Sequence, residues 1–180
     1  MPKIIPQVRE RLIASARATL LERGYGALSV REAAAACQIA VGTFYNYFKS
    51  KNELAAAVML EDWGRSLKGA DEAIEALSPG DDRFRRGMEE IYDRIDGFAR
   101  EYRPAWREYA QSDGPAMAIY AHHPALRGQI AQRVERLCQV CGEAELIPFS
   151  PILAEMILSA VTQEDISRDL FVSFLARARM

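Results

Sequence analysis

Along almost the whole of this chain apolar residues recur three and four positions apart, and no window holds the strict alternation that a half-buried strand requires. A chain patterned this way buries its apolar stripes helix against helix, so the expected fold class is all-α, with about nine helices. A first helix is expected from about Pro6 to Arg23, with Val8, Leu12, Ala16 and Leu20 on one face and Gly24 as its stop. Ser29 with Glu32 has the spacing of a capping box and opens a short helix to about Cys37. Gln38, Ile39 and Ala40 form a three-residue turn, and Val41 to Phe48 a second short helix. Ser50 with Glu53 repeats the box and opens a long helix carrying Leu54, Val58, Trp63, Leu67, Ile74 and Leu77, before Ser78 to Asp82 break the chain.

Beyond the break, Phe84, Met88, Ile91, Ile95, Phe98 and Tyr102 make one stripe that Pro104 is expected to end, with a short helix from Pro104 to about Gln111. Leu126, Ile130, Val134, Leu137 and Cys141 make the next. Ser150 followed by Pro151 starts another, and the last two amphipathic segments lie around Leu153–Val161 and Ile166–Ala178.

The net charge of −2 hides an asymmetry: residues 1–52 hold 8 Lys and Arg against 3 Asp and Glu, and residues 53–180 hold 15 against 22. The basic head suits a polyanion, because basic groups that neutralise phosphates release condensed counterions. Three cysteines and a start without an apolar signal-like core predict a reducing, cytoplasmic setting without disulfides. The longest unbroken apolar run, Leu54 to Leu60, falls far short of a membrane span, so no membrane partner is expected.

The basic head also holds the densest constellation in the chain, Val41 to Leu54, with four aromatic rings within Phe44 to Phe48 and lysines at 49 and 51. Two short helices joined by a three-residue turn form a helix-turn-helix when the second can enter a DNA major groove. At about 100° per residue, Phe44 and Phe48 share one face, Gly42, Thr43, Asn46 and Lys49 point the other way, and Tyr45 and Tyr47 lie on the flanks. Gly42 permits close backbone approach to base edges, Thr43 offers a hydroxyl and a methyl, and Asn46 has an amide able to pair with adenine. The tyrosine hydroxyls and Lys51 suit phosphates, while Arg31 suits either guanine or phosphate, or is simply an exposed residue near a helix start. Val41 leans towards the core by the same arithmetic.

The segment from Ser29 to Leu54, with "LLERGYGALSV" before it, resembles the DNA-binding domain of the TetR family of transcriptional regulators; its most specific part is "GTFYNYFKSKNEL". The resemblance implies DNA contacts for Thr43, Tyr45, Tyr47 and Lys51, with Phe44 and Phe48 in the core. It also implies a helix-turn-helix domain over residues 1–50 and an effector-binding and dimerising helical domain over 51–180. Two departures stand out: where many members have Ala-Gly-Val-Ser, this chain has Cys37-Gln38-Ile39-Ala40, so a permissive glycine and a helix-capping serine are both replaced.

Under that resemblance the body surrounds a small-molecule pocket, for which Met88, Tyr92, Phe98, Trp106, Tyr109, Met117 and Tyr120 are the candidate lining residues, although an ordinary core uses the same types. The function implied is a homodimeric DNA-binding regulator, a repressor released from a palindromic operator by an effector, with no cofactor and no catalytic residues. Cys138 and Cys141 have CxxC spacing, but their place on an amphipathic helix favours packed thiols over zinc or a redox pair. His122 and His123 precede Pro124 and read as a helix-boundary loop; no metal site is expected. The alternatives are a helical-bundle metal-dependent enzyme using Glu89, Glu90 or Glu108, or a protein-interaction module that binds no DNA.

Overall fold

The computed structural model describes residues 7–111, 117–162 and 167–178, with the backbone course alone at 109–111, 117–122 and 178. All regular structure among the described residues is helical. Eight α-helices, α1 Val8–Arg23, α2 Val30–Ala36, α3 Val41–Phe44, α4 Lys51–Glu75, α5 Arg83–Gln111, α6 Met117–Cys141, α7 Ser150–Thr162 and α8 Arg168–Ala178, are joined by one 3-10 segment, Ala144–Phe149. The residues fall into two compact units. One runs to Trp63 and includes Glu101–Met117; the other comprises Gly64–Arg100 and the chain from Ala118 onward.

The first unit is built on the predicted stripes. Leu12, Ile13, Ala16 and Leu20 of α1 are buried with Ala33 and Ala34 of α2, Phe44, Phe48 and the start of α4 at Leu54, Ala55 and Val58. A polar knot ties three helices within it. Arg17 Nε donates to both carboxylate oxygens of Asp62 at 2.9 and 3.0 Å, its Nη2 donates to Glu61 at 2.6 Å, and the Tyr102 hydroxyl donates to Asp62. Asp62 and Tyr102 are buried, and a buried carboxylate is tolerable only when its oxygens are bonded in this way. Burial, then the hydrogen bond and charge of Asp62, hold the Tyr102 phenol well above its ordinary pKa.

In the second unit α5 buries Phe84, Met88, Ile91, Tyr92, Ile95 and Phe98, and α6 buries Ile130, Val134, Leu137 and Cys138. The two helices approach closely at Gly87, where an added Cβ would collide with a methyl of the fully buried Leu137. Arg133 pairs with Asp71 at 2.9 Å, joining α6 to α4, and Arg168 pairs with Asp93 at 2.6 Å, joining α8 to α5. Tyr92 stacks on Phe171 of α8 with ring centroids 4.8 Å apart.

Three expectations change. Pro104 does not end a helix; it lies inside α5. Pro104 and Arg100, whose carbonyl loses its helical partner, are both exposed, while Ala99, Tyr102 and Ala105 are buried on either side of the break. The core-facing stripe therefore continues past a defect that lies on the solvent-exposed side of the helix. Pro124 likewise lies inside α6, so His123 belongs to a helix and not to a boundary loop. The apolar stretch Ala144–Thr162 also exceeds the run chosen from sequence, and its length and mean hydropathy of 1.5 would suit a membrane span. Yet only Ser150–Thr162 is α-helical. That is about 20 Å of helix against a hydrocarbon core of about 30 Å, so the stretch does not span as folded.

Candidate nucleic-acid interface

The turn between α2 and α3 departs from the usual composition, and its conformation shows what that means. Gln38 takes φ 54°, a left-handed conformation that glycine adopts freely and a side chain resists. Its N–H donates to the Ala35 carbonyl at 2.9 Å, and Ile39 N–H donates to Ala34 at 3.0 Å, closing the C-terminal end of α2. Arg11 Nη2 adds a bond to the Cys37 carbonyl at 2.9 Å, fastening the turn to α1. Cys37 is buried, and burial pushes its thiol pKa up against the pull of Arg11. Ala40, extended at φ −69° and ψ 149°, precedes α3 and supplies no side-chain cap.

The helix predicted over Val41–Phe48 is shorter than the eight residues expected. Val41–Phe44 is α-helical, and the chain then tightens, with Asn46 N–H donating to Thr43 at 3.2 Å and Tyr47 N–H to Phe44 at 2.9 Å. An uncapped start leaves little to propagate a second α-turn. The facing of side chains nevertheless survives. Phe44 and Phe48 are buried with centroids 6.0 Å apart, and Arg9 lies 5.5 Å over the Phe48 ring.

Outward, Gly42, Tyr45, Asn46 and Tyr47 are exposed and Thr43 is half-buried. A Cβ at Gly42 would meet nothing within 4 Å, so this backbone is open to close approach. Tyr45 stands edge-on to the buried Phe44 at 5.4 Å and is itself 54% exposed. Val41 is 41% exposed instead of leaning inward, so it adds an apolar contact surface to the same strip. Arg31, in the first turn of α2, is exposed.

Two caps hold the flanks. Glu32 N–H donates to Ser29 Oγ at 3.3 Å, but the Glu32 carboxylate turns to Arg23 at 3.2 Å instead of completing a capping box. Glu53 N–H donates to Ser50 Oγ at 3.2 Å, and its carboxylate accepts from the Lys49 N–H at 2.5 Å, one residue before the usual position. Lys51 follows at the first position of α4, with its ammonium 4.4 Å over the ring of Tyr25. Tyr25, buried in the loop between α1 and α2, donates its hydroxyl to Asn52. Sequence reasoning missed that ring. The loop is also gripped by Glu108 of α5, which accepts from the Gly26 N–H at 2.6 Å.

The candidate pocket residues divide between the two units. Met88, Tyr92 and Phe98 are buried in the second unit, Trp106 lies in the first and donates to Met59 Sδ at 3.0 Å, and the side chains of Tyr109, Met117 and Tyr120 lie outside the described residues. Met88, Tyr92, Phe98 and Trp106 do not line two open hollows on α7 and α8, which Met156, Leu170, Phe171 and Phe174 border. Glu89 is bound to Arg85 and Glu90 lies 3.9 Å from Arg94. Among the described residues no three His, Cys, Asp or Glu side chains converge as a metal would need.

Residues 12–58 match the sequence profile of the "Bacterial regulatory proteins, tetR family". The chain is 35% identical over 69 residues to the HTH-type transcriptional regulator UidR of Escherichia coli K12, a match covering 38% of this chain and 35% of UidR. It is 30% identical over 91 residues to the HTH-type transcriptional repressor DhaR of Mycobacterium sp. strain GP1, covering 50% and 46% of the two chains. The chain thus spans about a third to a half of the length of these curated relatives. Among solved structures, RolR in complex with resorcinol superposes with a TM-score of 0.62 at 23% identity, covering 96% of this chain and 87% of RolR. AlkX, a TetR family repressor from Dietzia sp. strain DQ12-45-1b, gives 0.62 at 18% identity, covering 99% and 95%. At these identities the structural likeness is one of fold.

Proposed function

We propose, from the premise that the N-terminal segment of this chain belongs to the tetR family of bacterial regulatory proteins, that the protein is a sequence-specific DNA-binding transcriptional regulator acting as a repressor. The observation that carries this is the exposed strip of Gly42, Tyr45, Asn46 and Tyr47, with Thr43 beside it, on a turn pinned by the buried Phe44 and Phe48. Such a strip presents small and polar groups to base edges from a rigid mount, and base contacts specify while phosphate contacts position. Thr43, Asn46 and the Gly42 backbone face the bases; Tyr45, Tyr47, Lys51 and Arg31 grip the flanking phosphates, with Arg31 also in reach of a guanine. Residues 1–50 form the reading domain and residues 51–180 the effector-binding and dimerising domain.

Two copies joined through α7 and α8 address a palindromic operator, with recognition elements roughly 34–36 Å apart. In support, Phe149, Ile152, Leu170 and Phe174 are 44 to 58% exposed, a cost that a second copy would remove. A small apolar or aromatic effector, of the size of the resorcinol in RolR, binds among Met88, Tyr92 and Phe98 of the second unit and releases the operator. The protein acts in the cytoplasm and is not an enzyme.

The test is selection of duplexes from a random-sequence library by the purified protein, followed by footprinting. Enrichment of a palindrome is expected, with Tyr45→Ala and Lys51→Ala each weakening its binding. Failure to enrich any sequence, together with binding that does not vary with salt, would remove the proposal.

A further inference from the structure

Resting on the DNA-binding reading above, we infer that Tyr25 is a positioning residue for DNA binding, its buried ring holding the Lys51 ammonium in place for a backbone phosphate. Lys51 is an awkward residue for its own helix: at the first position of α4 its charge adds to the positive end of the helix dipole. A lysine stem also has several freely rotating bonds, so an unheld ammonium samples many positions and loses that freedom when it docks. The ring of Tyr25 answers both difficulties. Its negative face lies 4.4 Å from the Nζ, within cation–π range, and Lys51 remains half-buried and not enclosed, so a ring on one side of the ammonium does not use up its other donors.

The ring itself cannot wander. Tyr25 is 2% exposed, and its hydroxyl is bonded to Asn52, the neighbour of Lys51 on α4. Tyr25 follows Gly24, whose φ of 82° turns the chain out of α1, and precedes Gly26, whose N–H is held by Glu108. The loop between α1 and α2 thus presents one aromatic face to the first turn of α4. The distinction from an ordinary core tyrosine is the cation above it, so the ring's contribution to binding must act through Lys51.

The experiment measures affinity against salt for the full chain on a duplex enriched by the wild type, with a scrambled 30-base-pair duplex in parallel. The variants are Tyr25→Phe, Tyr25→Leu, Lys51→Ala and the Tyr25→Leu/Lys51→Ala pair. Lys51→Ala should lower the slope of log affinity against log salt by about 0.9 per bound subunit, an affinity loss of about eightfold near 0.1 M salt. Tyr25→Leu should reproduce most of that loss, Tyr25→Phe should stay within about twofold of wild type, and the double variant should bind no worse than Lys51→Ala.

If Tyr25→Leu weakens binding as much in the Lys51→Ala background as in the wild type, the ring acts on structure alone and the inference falls. The side-chain resonances of Lys51 give a second measurement that needs no altered core. Its ε protons should be shifted upfield by the ring in the wild type, and random-coil positions would overturn the inference even if Tyr25→Leu did not fold. Salt-independent behaviour of the wild type on both duplexes would instead overturn the DNA-binding reading itself; a normal wild-type slope with an unaffected Tyr25→Leu overturns only the role of Tyr25.

Discussion

Gln38 and Ala40 show how single residues set the stability of the turn that carries the proposed reading element. A side chain held at φ 54° costs about 1–2 kcal/mol relative to a right-handed backbone, and an uncapped helix start forgoes about 1 kcal/mol. Gln38→Gly should therefore stabilise the protein by about 0.5–1 kcal/mol, the relief being offset in part by the greater freedom of glycine when unfolded. Ala40→Ser should add about 1 kcal/mol by giving α3 its missing cap. Both are read as a higher urea midpoint with an unchanged slope; a fall in either midpoint would refute the assignment of strain to this turn. Asp62 belongs to the same scale. Removing its carboxylate leaves Arg17 and the buried Tyr102 hydroxyl without their shared partner, so Asp62→Ala should destabilise by about 3 kcal/mol in equilibrium unfolding.

At the scale of elements, the two prolines and the thiol pair are instructive. Pro104 and Pro124 carry strong stop signals, yet each lies within a long helix; at Pro104, burial of Ala99, Tyr102 and Ala105 along the core-facing side outweighs one lost backbone bond. Cys138, near the C-terminal end of α6, is fully buried, and burial pushes its thiol pKa to about 11 from an ordinary 9.0. The neutral thiol is the form the fold accommodates. Its contribution is therefore whole below pH 9 and is lost as the pH rises through 11, since the unfolded chain ionises first. Stability should fall across pH 9–11, and in Cys138→Ala this fall should be shallower. A native protein whose Cys138 reacts with iodoacetamide at pH 8 as fast as an unfolded one would contradict that burial.

At the scale of the whole molecule, the exposed apolar residues of α7 and α8 are the open question that a second copy would answer. Leu170 is 58% and Phe174 44% exposed, and they border the apolar hollows on this face. Leu170→Glu with Phe174→Glu should shift the protein from dimer to monomer in sedimentation. It should also weaken binding to a palindrome far more than to a half-site, because two linked heads gain effective concentration that one does not. A wild type that sediments as a monomer at micromolar concentration would remove the dimer from the proposal.

Much of this was legible locally. The helical period, both N-cap serines, the buried Phe44 and Phe48 and the exposed Tyr45 and Tyr47 all follow from spacing, because a helix fixes which residues share a face whatever surrounds it. The family likeness of residues 12–58 is likewise a property of the string. Tertiary structure alone decided that Pro104 and Pro124 do not break their helices, that Val41 faces outward, and that the second turn of the recognition element tightens. It alone brought Tyr25 beneath Lys51, 26 positions along the chain, and gathered Arg17, Asp62 and Tyr102 into one knot. The reason is physical: local patterns report the preferences of one element, whereas these outcomes depend on which burial and which distant partner offset a locally unfavourable choice.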